Sequence, residues 1–220
     1  MREHLHRLRA RDARDAGMTL VEMLVSMIVF GLAMVMVASA TILVMRTTDE
    51  ARQSAATVTE LRQAVAVIDR QVRSGNVLFS PANEPGFVAS CQAVGSNAGT
   101  CMRIFTQSNG NEKCVQWQIL DDGSGTGLAE LRMRSWAVDW QLGGAVSDWS
   151  TVARDLRLTT APAPFTLLGA ATPYKERALQ LHVVGVDERS GKDVPVDTTL
   201  TGRNTSYGYD SGQCTPVPPA

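Results

Sequence analysis

Between Met23 and Met45 the chain runs for 23 residues without a charged side chain, and immediately ahead of that run sits Glu22. As a helix rising 1.5 Å per residue, the run would reach about 34 Å, enough to cross a hydrocarbon core of about 30 Å. A span of this kind commits the N-terminal segment to a membrane or to other apolar helices. The carboxylate is the anomaly. A charged side chain in the middle of a membrane helix costs about 2.5–3.5 kcal/mol even on the mildest insertion scale. Glu22 therefore needs a partner or a function.

Three readings compete for residues 1–45. The first is a secretory signal, with an arginine-rich start, an apolar middle and Val37-Ala38-Ser39-Ala40 as a small-residue cleavage site. Signal cores usually run for about 7–15 residues, whereas this one contains Glu22 and continues past Ala40 as Thr41-Ile42-Leu43-Val44-Met45. The second is a plain single-span anchor. Arg2, Arg7, Arg9, Arg11 and Arg14 precede the span, so the positive-inside rule keeps the N-terminus cytoplasmic and places the C-terminal part outside.

The third reading uses the most residues. Gly17-Met18-Thr19-Leu20-Val21-Glu22 resembles the processing site of type IV prepilins and type II secretion pseudopilins. In that family a membrane peptidase cuts after the glycine and methylates the new N-terminus. The resemblance implies cleavage after Gly17, with Met18 as the first mature residue where the family usually has Phe. Gly31 stands where the family's helix often has a glycine, while Ser39 occupies the place of a proline common in major pilins. That departure points to a minor subunit. Cleavage would create an α-amine at Met18, cationic below a pKa of about 7.7–8.0. In a filament of packed helices, Glu22 of one subunit would pair with the Met18 amine of its neighbour. A misregistered subunit would leave both charges buried and unpaired, at several kcal/mol. Glu22 then acts as a register device.

Beyond the span, the helix is expected to continue. Val58, Leu61, Val65, Ile68 and Val72 recur at spacings of 3, 4, 3 and 4, an amphipathic stripe that asks for a sheet to lie against. Gly75 is placed as its C-cap. Thereafter the texture changes to short β-branched or aromatic runs broken by Gly, Asn, Asp and Pro. Candidate strands are Phe87–Cys91, Cys101–Gln107, Cys114–Leu120, Ala129–Ser135, Val152–Leu158, Leu179–Val186 and Val194–Thr201. Asp121-Asp122-Gly123-Ser124-Gly125-Thr126-Gly127 reads as a hairpin connection, and the proline-rich tail from Thr215 as irregular. The fold class is α+β: a long N-terminal helix, membrane-spanning in its first half, packed on an antiparallel β-sheet head in the type IV pilin-like manner. The expected divisions are a basic leader (1–17), a transmembrane and assembly helix (18–45), its amphipathic continuation (46–75) and an extracytoplasmic β-rich domain (76–220). Ile68-Asp69-Arg70-Gln71-Val72-Arg73-Ser74 and Leu200-Thr201-Gly202-Arg203-Asn204 carry the resemblance weakly into this region.

Charge and cysteine content narrow the function classes. Formal net charge is −1; residues 1–17 carry +2 and the remainder −3. The part beyond the leader thus lacks the positive field that nucleic-acid binding relies on. Cys91, Cys101, Cys114 and Cys214 all follow the apolar run, which suggests disulfides in an oxidising compartment. Four cysteines allow three connectivities; hairpin logic favours Cys91–Cys101, leaving Cys114–Cys214 to fasten the tail. Buried, reduced cysteines are the alternative.

Catalytic constellations are thin. His4 and His6 lie in the leader, so His182 is the one histidine beyond it, without a nucleophile-elbow pattern nearby. There is no H-E-x-x-H, P-loop or dinucleotide fingerprint. Asp121-Asp122-Gly123 and Asp187-Glu188-Arg189 lack the alternating acids of a calcium loop. Trp117, Trp136, Trp140 and Trp149 are assigned to packing ahead of ligand stacking. No cofactor is called for, and no enzyme. The expected function is structural: a minor pilin or pseudopilin assembled through its helix into an envelope-spanning filament. Its implied partners are the prepilin peptidase, other pilin or pseudopilin subunits, the inner-membrane assembly platform and, before assembly, the membrane. The alternative is a membrane-anchored or secreted β-domain with a binding role and no filament.

Overall fold

The computed structural model describes residues 18–92, 98–107, 110–169, 178–187, 190–202 and 212–219. The leader with Gly17, and the pairs Glu188-Arg189 and Arg203-Asn204, lie outside the described residues. The chain divides into two compact units, Met1–Asp49 and Glu50–Ala220. Helix α1 comprises Leu20–Ser74. Ser39 does not interrupt it, since unlike proline it keeps its backbone N–H; its hydroxyl donates to the Val35 carbonyl one turn back. In the first unit the apolar side chains of α1 face outward; Met27 is 71% exposed and Phe30 62%. That surface is far larger than a soluble monomer normally presents.

The second unit is the α+β layout expected. The remainder of α1 lies on an antiparallel sheet of eight strands. They are β1 (Gly75–Leu78), β2 (Cys101–Thr106), β3 (Lys113–Asp121), β4 (Leu128–Ala137), β5 (Ser150–Arg157), β6 (Phe165–Leu168), β7 (Ala178–Val186) and β8 (Asp193–Thr201). Strands β1 to β5 form a meander. Strand β7 then pairs β5 and β6 along one edge and β8 along the other. The Asp122–Gly127 segment makes the β3–β4 hairpin connection, with left-handed backbone at Gly123, Gly125 and Gly127. The outermost strands are poor templates for further pairing. Strand β1 has four residues, and β8 carries Pro195, which has no N–H to offer.

The core between helix and sheet contains Leu61, Ala64, Ile68 and Val72 of α1 against Met102, Ile104, Val115, Trp117, Ile119, Leu131, Leu156 and Leu181. Ala64, absent from the predicted stripe, is buried, while Val65 is half-buried. The small side chain reflects close approach. A Cβ added at Gly185 would stand 2.8 Å from Leu61 Cδ1 and 2.9 Å from Thr57 Cγ2. Gly185→Val is therefore expected to destabilise the head by about 1–3 kcal/mol through overpacking. Urea unfolding followed by tryptophan fluorescence checks this. Glu60 adds a polar lock, its Oε1 accepting the Arg154 N–H at 2.9 Å beside the positive-φ residue Asp155.

Two local expectations are corrected. Phe87–Cys91 is not a strand; the segment forms two helical turns, α2 (Glu84–Phe87) and α3 (Ala89–Gln92). Both sides of β2 are already paired, by β1 and β3, so no ladder position remains for it. Gly75, in turn, does not close α1 with a left-handed cap. It opens β1 directly, and a Cβ there would meet Ile104 Cγ2 at 2.9 Å. Close packing, not backbone curvature, requires the glycine. Strands β1 and β6, four residues each, were not anticipated.

Candidate functional site

Of the residues singled out by sequence, Glu22 lies in the first turn of α1 and Met18 just ahead of it. Thr19 precedes the helix, and its Oγ1 accepts the Glu22 N–H at 3.3 Å, while the Thr19 carbonyl accepts the Met23 N–H at 3.2 Å. Thr19 is thus the N-cap and Glu22 the third helical residue, the spacing of a capping box. A carboxylate in the first turn also suits the positive end of the helix dipole. The Thr19-x-x-Glu22 spacing is legible in the sequence; the bond formed is between the Thr19 hydroxyl and the backbone of Glu22. Met18 is exposed, and an added Cβ at Gly31 would meet nothing within 4 Å. The chain's own packing makes no demand for glycine at that position.

On the sheet, helix-facing and outward-facing residues alternate with the pleat. The outward residues of β2 to β4 form a second polar and aromatic layer. Arg103 is 6% exposed, and its Nε and Nη2 donate to Glu84 Oε2 and Oε1 at 2.6 and 3.0 Å. The guanidinium also lies 4.3 Å from the Phe79 ring centre and donates from Nη1 to the Cys214 carbonyl at 2.9 Å. Burial pushes the Glu84 carboxyl above its ordinary value, against the opposing pull of the Arg103 hydrogen bonds and charge.

Two strands over, on β4, Arg134 is 3% exposed and stacks 4.5 Å from Trp149, which Arg132 also covers at 4.5 Å. Its Nε donates to Gln116, and its Nη atoms donate to the Pro218 and Pro219 carbonyls. Desolvation first, then the Arg132 charge, pulls the Arg134 pKa down to about 10, still well above neutrality. Gln116 and Gln118 tie α3 to this face through Ser90. The disulfides Cys91–Cys101 and Cys114–Cys214 fasten α3 and the tail. Between α2, α3 and the tail lies a cleft of about 590 Å³ whose lining includes Phe79, Val88, Val217 and the Arg103–Glu84 pair.

The remaining candidates resolve into local structure. Glu84, Cys91 and Cys101 bring possible ligand atoms within 4.8 Å of one another, but the sulfurs are bonded together and offer no thiolate. His182 pairs across the sheet with Asp197, its register partner on β8, as a strand histidine with a carboxylate neighbour. Asp121 and Asp122 accept the backbone N–H groups of Gly123 and Ser124, and the Ser124 bonds hold the Asp122 carboxyl below its usual range. Asp187 caps the β7–β8 turn by accepting the Ser190 N–H. Trp117 is fully buried and donates to Gln71 at 2.7 Å; Trp136 is buried on the opposite face.

Residues 12–38 match the family described as "Prokaryotic N-terminal methylation motif". No curated protein and no solved structure is significantly similar to the chain. The matched segment spans the glycine, the Thr19 cap, Glu22 and the start of the apolar helix. Together with the length of α1, this fits a type IV pilin-like protein and supports a substrate of a prepilin peptidase. The same pair of observations is consistent with a single-pass membrane anchor and points to a structural subunit rather than an enzyme.

Proposed function

We propose that the chain is a minor pilin or pseudopilin, cut after Gly17, N-methylated at Met18 and assembled through α1 into a type IV pilus or type II secretion-like filament. The observation that carries this is the methylation motif at 12–38 running straight into a helix whose apolar side chains face outward. Those side chains are served first by lipid and then by neighbouring helices, and Gly31 leaves room for one to approach. The N-terminus is inside, and the sheet domain is delivered to the periplasm or the cell surface. The prepilin peptidase, sister subunits and the inner-membrane assembly platform are its partners. The Met18 amine and Glu22 carboxylate are each other's partners between adjacent subunits. Thr19 caps the helix start by accepting the backbone N–H of Glu22.

Mass spectrometry of the mature protein tests the processing step. N-methylated Met18 is the expected N-terminus. An intact Met1, or a start at Thr41 after signal-type cleavage, would remove the pilin reading in favour of an anchored or secreted β-domain.

A further inference from the structure

The tail is held to the outer face of the sheet in a way that separates it from the rest of the fold. Its anchors are side chains of that face reaching for tail carbonyls. Arg103 bonds Cys214, Trp140 Nε1 bonds Pro216 at 2.9 Å, and Arg134 bonds Pro218 and Pro219. Val217 packs against the two small outer clusters built around Phe105–Trp136 and Val88–Cys91. Among the described residues the tail joins no β-ladder, and three of its residues, Pro216, Pro218 and Pro219, have no N–H. None of residues 212–219 belongs to the core beneath α1.

We propose that Gly212–Pro219 is a redox-set strap. Formation of the Cys114–Cys214 bond closes it over β2–β4, and without that bond it lifts while the helix–sheet core stays folded. The chemistry of the anchors allows this. When the strap leaves, Arg103 keeps Glu84 and Arg134 keeps Gln116, and water replaces the lost carbonyls, so no donor is stranded in a dry site. The anchors act only while the tail stays close, and the bond keeps it there. Although its cysteines are 100 apart in sequence, the folded core already tethers the tail where β8 ends at Thr201, so the bond closes a span of about a dozen residues and its loss lowers the local concentration of the tail by on the order of 10²-fold. Closure requires the Cys114 and Cys214 thiols to surrender two electrons and two protons to an exchanging disulfide, which is itself reduced to a dithiol. The strap is therefore open on a chain still facing a reducing compartment and closed on one that has met an oxidising disulfide. Nothing in this depends on filament assembly.

Hydrogen exchange read by mass spectrometry tests it on the full-length protein in detergent. The parent is compared with the double variant Cys114→Ser/Cys214→Ser, and with folded parent protein treated with a dithiol. The segment 212–217, in which the Gly212 carbonyl holds the Thr215 N–H, is expected to exchange on the order of 10²-fold faster in the variant and after reduction, with the amides of β3, β4 and α1 from Leu61 to Val72 changing less than about tenfold. Unchanged tail protection would overturn the proposal. So would equal acceleration throughout the sheet, or a variant that does not fold, since the bond would then hold the domain as one unit.

Discussion

Replacing Glu22 by alanine is expected to cut incorporation into filaments by tenfold or more while leaving membrane insertion and the sheet domain unchanged. The effect follows from the register role proposed for the carboxylate. In a packed array of α1 helices, the Met18 amine would be left without its counter-charge in a low-dielectric environment, and an unpaired buried charge costs about 3–5 kcal/mol. The capping-box spacing Thr19-x-x-Glu22 supplies the control. Glutamine serves a capping box nearly as well as glutamate, but cannot neutralise an amine. Glu22→Gln should therefore behave like Glu22→Ala if charge pairing sets the register, and like the parent if capping is the residue's main task. Sheared filament fractions, compared with membrane fractions by immunoblot, read both variants. Normal incorporation of the alanine variant would remove the assembly role altogether.

The second large effect lies in the head. Glu84→Ala leaves the Arg103 guanidinium, 6% exposed, without either carboxylate oxygen. The expected loss is about 3–5 kcal/mol, which for a domain of this size lowers Tm by roughly 10 °C. Glu84→Gln keeps one acceptor and should cost less, because burial already penalises the ionised carboxyl. The pH dependence has a definite sign. The folded-state pKa of Glu84 is raised above the ordinary value of 4.5, so between those two pH values the folded chain holds more of this proton than the unfolded one. Glu84 therefore contributes a stability that declines as pH rises through that window, and Glu84→Gln should remove the decline. Thermal melts across weakly acidic to neutral pH check both statements; a Tm within 2 °C of the parent for Glu84→Ala would show the pair to be dispensable.

Much of this architecture is visible one residue at a time along the chain. The apolar run, the stripe through Leu61, Ile68 and Val72, and six of the eight strands each declare themselves by a local period or a β-branched run. The methylation motif is contiguous, so its residues needed no fold to bring them together. The missed elements lacked that kind of signal. Strands β1 and β6 are four residues long, too short for alternation to show, and α2 with α3 spells an extended segment that found no vacant position beside β2.

The outer face of the sheet belongs to a different category. Glu84 meets Arg103 from 19 residues away, and Arg134 meets Pro218 and Pro219 from 84 and 85. Such partnerships leave no periodic trace, since they depend on which strand neighbours which and on where the tail returns. Alternation in β2 to β4 places Arg103, Gln116 and Arg134 on one side of the sheet. Burying them there requires α2, α3 and the tail as a second cover, and that cover exists only once the chain has closed on itself. Local periodicity sufficed for the helix, most of the strands and the processing motif, because their physics is short-range; the strapped layer and its ion pair had to await the three-dimensional chain.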